Sequence, residues 1–411
     1  GGSGADPDGL RGAHQLLAGS LTRGCGDLDA EALADLVEGA GAGLRAEAHE
    51  DALVVGLKCA AEDGPELLPL LLSLVRQPRL DVDQVAIERQ LNLQTLQRQR
   101  EDPFQVAHDQ LLSQLYGQGP YGHDPLGVEG ELESVAVAQL KQLATSLGQQ
   151  GAVLVIAGAI PDDVESLVTG GLHGAAWPTR APDPFQSDAF RTGGSGTSPS
   201  AMESQGFQAQ EQDTEQVVLM LGCPTVPLGH PDALALRLLQ THLGMGMSSR
   251  LFVVMREERG LAYDVGASLP ARCGAAPFVL HLSTSKDRAE EATTCLLQEW
   301  QRLLEQPLEA GALDLARAKY LGQDAMGRQT SGQIAERLAL LLSHGLPADH
   351  VERCLQRAPT LTGDQLQAAA RRWLGSPHLS VVGPAEALRT CERAWRTHSR
   401  TGQVSQTSPR P

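Results

Sequence analysis

The chain has 411 residues, 41% hydrophobic and 20% charged, with a formal net charge of −17. That length predicts two to three domains with cores of their own, and the apolar fraction excludes wholesale disorder. The acidic balance excludes a general nucleic-acid binder, which needs a basic surface to displace phosphate counterions, and no apolar run is long enough for a membrane span. Aromatics are 3%, so the cores must be built from Leu, Val and Ala. The 7 cysteines form no CxxC pair and read as buried thiols of a reducing compartment, a bacterial cytoplasm or an organelle matrix.

Along the chain, Pro7-Asp8 precedes an early helix. Leu44 to Ala48 and Leu53 to Cys59 alternate as two short strands. Leu67, Leu70, Leu71, Leu74 and Val75 fall at helical spacing, with Pro65 near the start and Pro78 beyond the end. Gln139-Leu140 leads through a helix to Gly148 and then a strand, Ala152 to Ala157. The second half repeats this order. Pro231-Asp232 precedes a helix, Ala262 to Leu269 and Phe278 to Ser283 are strands, and a helix follows from Arg288 to Leu304. Gln365-Leu366 then leads through a helix to Gly375 and the strand Leu379 to Val382.

The reading is an α+β fold of two homologous domains, each a mainly antiparallel sheet with helices on one face. Residues 1–175 form the first domain and 216–390 the second. Residues 176–215, rich in Pro, Gly and Ser, read as a linker, and 391–411 as a polar tail that begins as the end of a helix. The second copy has an extra opening strand, Gln216 to Leu221. Its counterpart would precede Gly1, and with no initial Met the chain reads as a fragment or a processed form.

The best local signature is Met247-Ser-Ser-Arg-Leu-Phe-Val-Val-Met-Arg-Glu-Glu-Arg-Gly-Leu-Ala-Tyr263. A helix ends there at a left-handed Gly260 and a strand starts at Leu261. Arg256 lies on the last turn and Tyr263 early in the strand, where a guanidinium and a phenol can together bind a carbonyl oxygen. On spacing alone, a surface Arg beside a packed Tyr is the commoner outcome.

This segment resembles the second-domain signature of the insulinase/pitrilysin and mitochondrial-processing-peptidase family of zinc peptidases, and the similarity extends over nearly the whole chain. Asp29 to Val37 with the two strands, and Glu88 to Pro103, resemble family segments of the first domain. The resemblance implies the LuxS/processing-peptidase-like metalloenzyme fold. It also implies an HxxEH helix, whose two His bind zinc while its Glu serves as base, with a distant Glu completing the site. In the frame set by Gly24-Cys25, those positions are Gln15, Ala18 and Gly19. Counting back from Pro103 puts the distal ligand at Thr95. All four catalytic or metal positions are lost, whereas Arg256 and Tyr263 match the family pair that binds substrate carbonyls.

The resemblance therefore implies a non-catalytic, substrate-binding subunit of a heteromeric zinc endopeptidase, binding extended peptide at a sheet edge. It implies no cofactor in this chain, with zinc in a homologous HxxEH-bearing partner. Nucleic acid and membrane are not expected partners. The alternatives are a structural scaffold or peptide-binding subunit without peptidase role, which has no use for the Arg/Tyr pair, and an autonomous zinc peptidase with a non-standard site. The other motifs read plainly. The 12 His show no ligand spacing, and His344 and His350 read as capping or surface residues. Gly244-Met-Gly-Met247 lacks the lysine of a phosphate loop and reads as a helix-to-helix turn.

Overall fold

The computed structural model describes residues 1–148, 151–172 and 206–406. In chain order its helices and strands are α1 (Ala13–Leu21), α2 (Ala30–Gly39), β1 (Gly43–Ala48), β2 (Leu53–Lys58), α3 (Gly64–Arg76), α4 (Val82–Glu101), α5 (Pro103–Tyr116), α6 (Glu129–Ser134), α7 (Val137–Ser146) and α8 (Val164–Leu172). There follow β3 (Phe207–Glu211), β4 (Gln216–Pro224), α9 (Ala233–Gly244), a π-helical turn (Phe252–Glu258), β5 (Asp264–Ser268), β6 (Pro277–Ser285) and α10 (Ala289–Glu305). The chain closes with α11 (Ala310–Met326), α12 (Ser331–Ser343), α13 (His350–Arg357), α14 (Gly363–Trp373), β7 (His378–Gly383) and α15 (Ala385–Gln406).

Helix and strand are combined in two compact units, the α+β class. The units are interleaved in sequence rather than contiguous. One gathers 1–98, the described part of 119–190, and 326–348; the other gathers 99–118, the described part of 191–325, and 349–406.

The first unit is built on the antiparallel pair β1–β2, with Gly43 opposite Lys58 and Ala48 opposite Leu53. Helix α1 packs on both strands, and Leu16, Leu17 and Leu21 fill the space with Leu80, Val85, Leu132 and Leu140. A second cluster joins Leu33 and Val37 of α2 to Leu67, Leu70 and Leu74 of α3, the helical spacing read in the sequence. Arg11 holds α6 by bonding Glu131 through both its backbone N–H (2.8 Å) and its Nε (2.9 Å). The strand expected over Ala152 to Ala157 is not formed. That stretch has no regular structure and pairs with no described strand, and Val153 and Leu154 stay exposed. Alternating apolar residues make a strand only where a neighbour offers unpaired backbone groups.

The second unit holds a five-stranded sheet in the order β3-β7-β4-β6-β5, antiparallel except for the parallel pair β3–β7. β3 falls inside the stretch 176–215 read as a linker. Its sequence, Phe-Gln-Ala-Gln-Glu, is polar because the strand lies at an edge of the sheet and is mostly exposed. Residues 176–205 of that stretch lie outside the described residues, as do 407–411 of the expected tail; the start of that tail is helical, in α15.

Side chains alternate across the central strand β4. Val217, Leu219, Leu221 and Cys223 face the core made with α9, α10, α14 and α15. Val218 and Met220 face the other way and meet Ala107 and Leu111 of α5. Ser380 of β7 fixes the same helix: its Oγ lies 2.8 Å from the Ala107 carbonyl and 2.8 Å from Gln110 Oε1. Helices therefore cover both faces of this sheet, not the single face expected, and β4 is buried along seven successive residues. A strand covered on both sides reads as a continuous apolar run, as Val217 to Cys223 does.

Candidate functional site

The Arg/Tyr segment lies within the second unit. The π-helical turn leaves the Met255 carbonyl to accept two N–H groups, from Leu261 (2.6 Å) and Ala262 (3.2 Å). Gly260, at φ 60°, makes the reversal between them; a side chain there would be strained. Leu251, Val254, Met255 and Leu261 anchor the turn in the core. Arg288 closes it from outside by donating to the Arg259 carbonyl (3.0 Å). π-turns of this kind recur at functional sites because they re-aim one side chain within an otherwise regular helix.

Arg256 points to the surface, its guanidinium carbon 5.0 Å from the centre of the Phe252 ring. A cation over an aromatic face is held without using its N–H donors on protein acceptors. Tyr263 is 63% exposed, and its backbone N–H donates to the Ser283 carbonyl (2.9 Å) just ahead of β5. β5 is an edge of the sheet, bonded to β6 alone. Thus the two residues sit on one short segment at a sheet edge, both polar tips accessible, with no hydrogen bond between them. Beside them, His281 packs edge-on against Phe104, ring centres 5.2 Å apart. Burial lowers the His281 pKa, while Asp264 opposes the shift.

The four positions that the resemblance assigns to zinc chemistry lie in the first unit, on α1 and α4, and do not fit the ion. Gln15 uses its side-chain oxygen to accept the Ala48 N–H (2.8 Å), which ties α1 to β1. Ala18 is fully buried and has no donor atom. Gly19 likewise offers none. A Cβ placed on it would lie 2.2 Å from Glu88 Oε1, so the Glu88 carboxylate fills the space beside it. Glu88 is itself held by Arg23 (2.9 Å). Thr95 donates its hydroxyl back to the Leu91 carbonyl (2.9 Å). His14, next to the first position, is 3% exposed with Nδ1 2.7 Å from Asp6 Oδ1. Asp6 also accepts the N–H groups of Gly12 and His14.

Several polar groups escaped the sequence reading. His344 does cap α12, but its side chain is buried, 3.5 Å from Asp51, which also accepts a hydrogen bond from Tyr121 (2.6 Å). Arg250, in the middle of the signature segment, makes a two-pronged ion pair with the buried Glu299 (2.7 and 2.8 Å). Arg237 sits on the apolar helix α9 and borders two cavities. For Arg237 the signal was a charged residue inside an apolar-periodic stretch. Of the 7 cysteines, Cys25, Cys223, Cys295 and Cys391 are buried as expected, whereas Cys59, Cys273 and Cys354 are only half-buried; desolvation pushes Cys223 up to about 12 and Cys391 to about 11, leaving both thiols protonated and unreactive at neutral pH. No described helix is long and apolar enough to cross a membrane.

Comparison with known proteins covers both units. A sequence model described as Insulinase (Peptidase family M16) matches residues 1–127, and one described as Peptidase M16 inactive domain matches 140–320. An uncharacterised zinc protease of Mycobacterium tuberculosis is 24% identical over 387 residues, 93% of this chain and 85% of the relative. The crystal structure of a peptidase M16 inactive domain from Pseudomonas fluorescens superposes with a TM-score of 0.81 at 23% identity, covering 93% of this chain and 91% of the other. A chain in a structure of complex III2 from Candida albicans reaches a TM-score of 0.76 at 13% identity, covering 97% and 92%.

Proposed function

Because this chain belongs to the insulinase family of peptidases, M16, we propose that it is a non-catalytic, substrate-binding subunit of a heteromeric zinc metalloendopeptidase. The contrast between its two sites supports this most. Where zinc chemistry would sit, Gln15 and Thr95 spend their side chains on backbone groups, and Ala18 and Gly19 have none to offer. Where substrate carbonyls would sit, Arg256 and Tyr263 stay accessible on a segment anchored from below by Val254, Met255 and Leu261. A homologous subunit bearing HxxEH supplies the zinc and the activated water. This chain supplies a strand edge and two donors near the scissile carbonyl, where developing negative charge is stabilised by preplaced N–H and O–H groups. The compartment is a bacterial cytoplasm, where thiols stay reduced.

The test is reconstitution. The chain is co-purified with its HxxEH-bearing partner, and peptide cleavage is followed with and without zinc. Arg256→Ala lowers kcat/KM about 100-fold, the scale of one lost oxyanion donor, while the two subunits still co-elute. Unchanged turnover in that variant removes the role given to Arg256. Assembly with no zinc-dependent cleavage in the parent complex moves the protein to a scaffold role. Stoichiometric zinc with cleavage by the isolated chain makes it an autonomous peptidase.

A further inference from the structure

Helix α9 carries Arg237 in the sequence Leu234-Ala-Leu-Arg-Leu-Leu239, where every neighbour is apolar. Arg237 lines two cavities within the second unit, of about 410 Å³ and about 60 Å³, which share Leu269 and Pro270 as walls. The larger space is in the range that takes a small organic ligand. Leu112 of α5, Leu269 and Pro277 give it apolar walls, while the guanidinium groups of Arg237 and Arg272 give it positive charge and His108 lines it as well. No Asp or Glu lines either cavity, although the chain as a whole has 50 acidic residues against 33 basic ones. Arg237 makes no ion pair and no side-chain hydrogen bond with any described residue. Guanidinium groups away from bulk water are nearly always paired, because an unpaired charge in a low dielectric is costly. Desolvation accordingly lowers the Arg237 pKa. Gln240, one turn along the same face, is already committed, donating to the Ala267 carbonyl (2.8 Å).

We propose that this cavity binds a small amphipathic carboxylate, the carboxylate on the Arg237 guanidinium and the apolar body along Leu112, Leu269 and Pro277. The planar fork of five N–H donors matches a carboxylate bidentately, and the missing counter-charge is what the ligand brings. A free aliphatic acid and the C-terminal carboxylate of a short apolar peptide share this chemistry. The site is independent of Arg256 and Tyr263 and stands whether or not the chain is a peptidase subunit.

The test is calorimetric titration of the full-length chain with octanoate and octanol, and with N-acetyl-Ala-Leu as acid and as amide. Octanoate or the peptide acid binds at least about tenfold tighter than its uncharged counterpart, the size of one charge-assisted contact. The tighter of the two acids identifies the source of the carboxylate. Arg237→Met weakens that binding at least about tenfold and Arg237→Lys by less, since a charge remains. If Arg237→Met does not fold, the acid-to-neutral ratio on the native chain decides alone. No saturable binding of either acid up to about 1 mM, equal binding of acids and neutral counterparts, or unaltered affinity in folded Arg237→Met overturns the site.

Discussion

Acidification towards pH 4 should destabilise the second unit, and His242 is a group that makes it do so. His242 lies near the end of α9, largely buried, and its pKa is pulled down to about 4. Burial is the main cause. Arg250 and Lys319 then add positive charge, Glu299 opposes them, and Arg302 adds a smaller push. Arg250 is locked in place by Glu299, and Lys319 by its hydrogen bond to the Met245 carbonyl (2.7 Å), so neither cation can swing away. An unfolded histidine titrates near 6.5, so between about 6.5 and 4 the unfolded chain binds a proton that the folded chain refuses. The contribution is intact above pH 6.5 and declines as pH falls towards 4. Each unit costs up to about 1.4 kcal/mol, so at pH 4.5 about 2–3 kcal/mol is lost. Urea unfolding followed by tryptophan fluorescence at pH 7.5, 6.0, 5.2 and 4.5 measures it, since Trp300, Trp373 and Trp395 all lie in this unit. His242→Leu keeps most of the volume and removes the titration, so its stability should fall less with acid by that amount. His281 and His378, also lowered by burial, titrate in both proteins and leave the difference unaffected. If the two stability curves run parallel from pH 7.5 to 4.5, His242 is not held neutral and the reasoning fails.

Two structural substitutions test the second unit further. A Cβ on Gly244 would lie 2.2 Å from the Ala267 backbone nitrogen, so Gly244→Ala must push β5 away from α9; it should lose about 1–3 kcal/mol in urea unfolding, the scale of an overpacked core, despite the better helix former. A variant as stable as the parent would mean that β5 is not held at that spacing. Ser380→Ala removes the hydroxyl that ties β7 to α5 and leaves the buried Gln110 short of a partner. It should cost about 1–2 kcal/mol and speed hydrogen exchange in α5 ahead of the rest of the unit; uniform exchange rates would refute that ordering.

The fold was legible where one chain segment supplies its own signal. The two strands before α3, the helical spacing of Leu67 to Val75 and the separate strands Phe278–Ser283 and Leu379–Val382 need only periodicity, and each is found. What was not legible depends on a neighbour. Ala152 to Ala157 carries strand composition but no described strand pairs with it, whereas the polar Phe207–Glu211 becomes a strand because β7 lies alongside. The interleaving of the units has the same cause. α5 reads as an ordinary helix of the first half, yet its apolar face, Ala107 and Leu111, is completed by Val218 and Met220 more than a hundred residues away.

The candidate site divides along the same line. Loss of donors at Gln15, Ala18, Gly19 and Thr95 is a matter of residue type and can be read directly. That Gln15 and Thr95 are occupied elsewhere, and that Glu88 has taken the space beside Gly19, is visible only in three dimensions. Arg256 and Tyr263 were found from a motif, but the motif does not explain their accessibility. The π-helical turn does, by inserting an extra residue before Gly260 and leaving Met255 to carry two hydrogen bonds, so that the apolar residues of the segment go inward and Arg256 goes out. Arg237 is the opposite case. No motif contains it, and the anomaly lies in its surroundings: a charge on an apolar helix, beside a cavity without a carboxylate. A charged residue at a core-facing helical position either has a partner within the protein or awaits one from outside, and on α9 the described residues provide none.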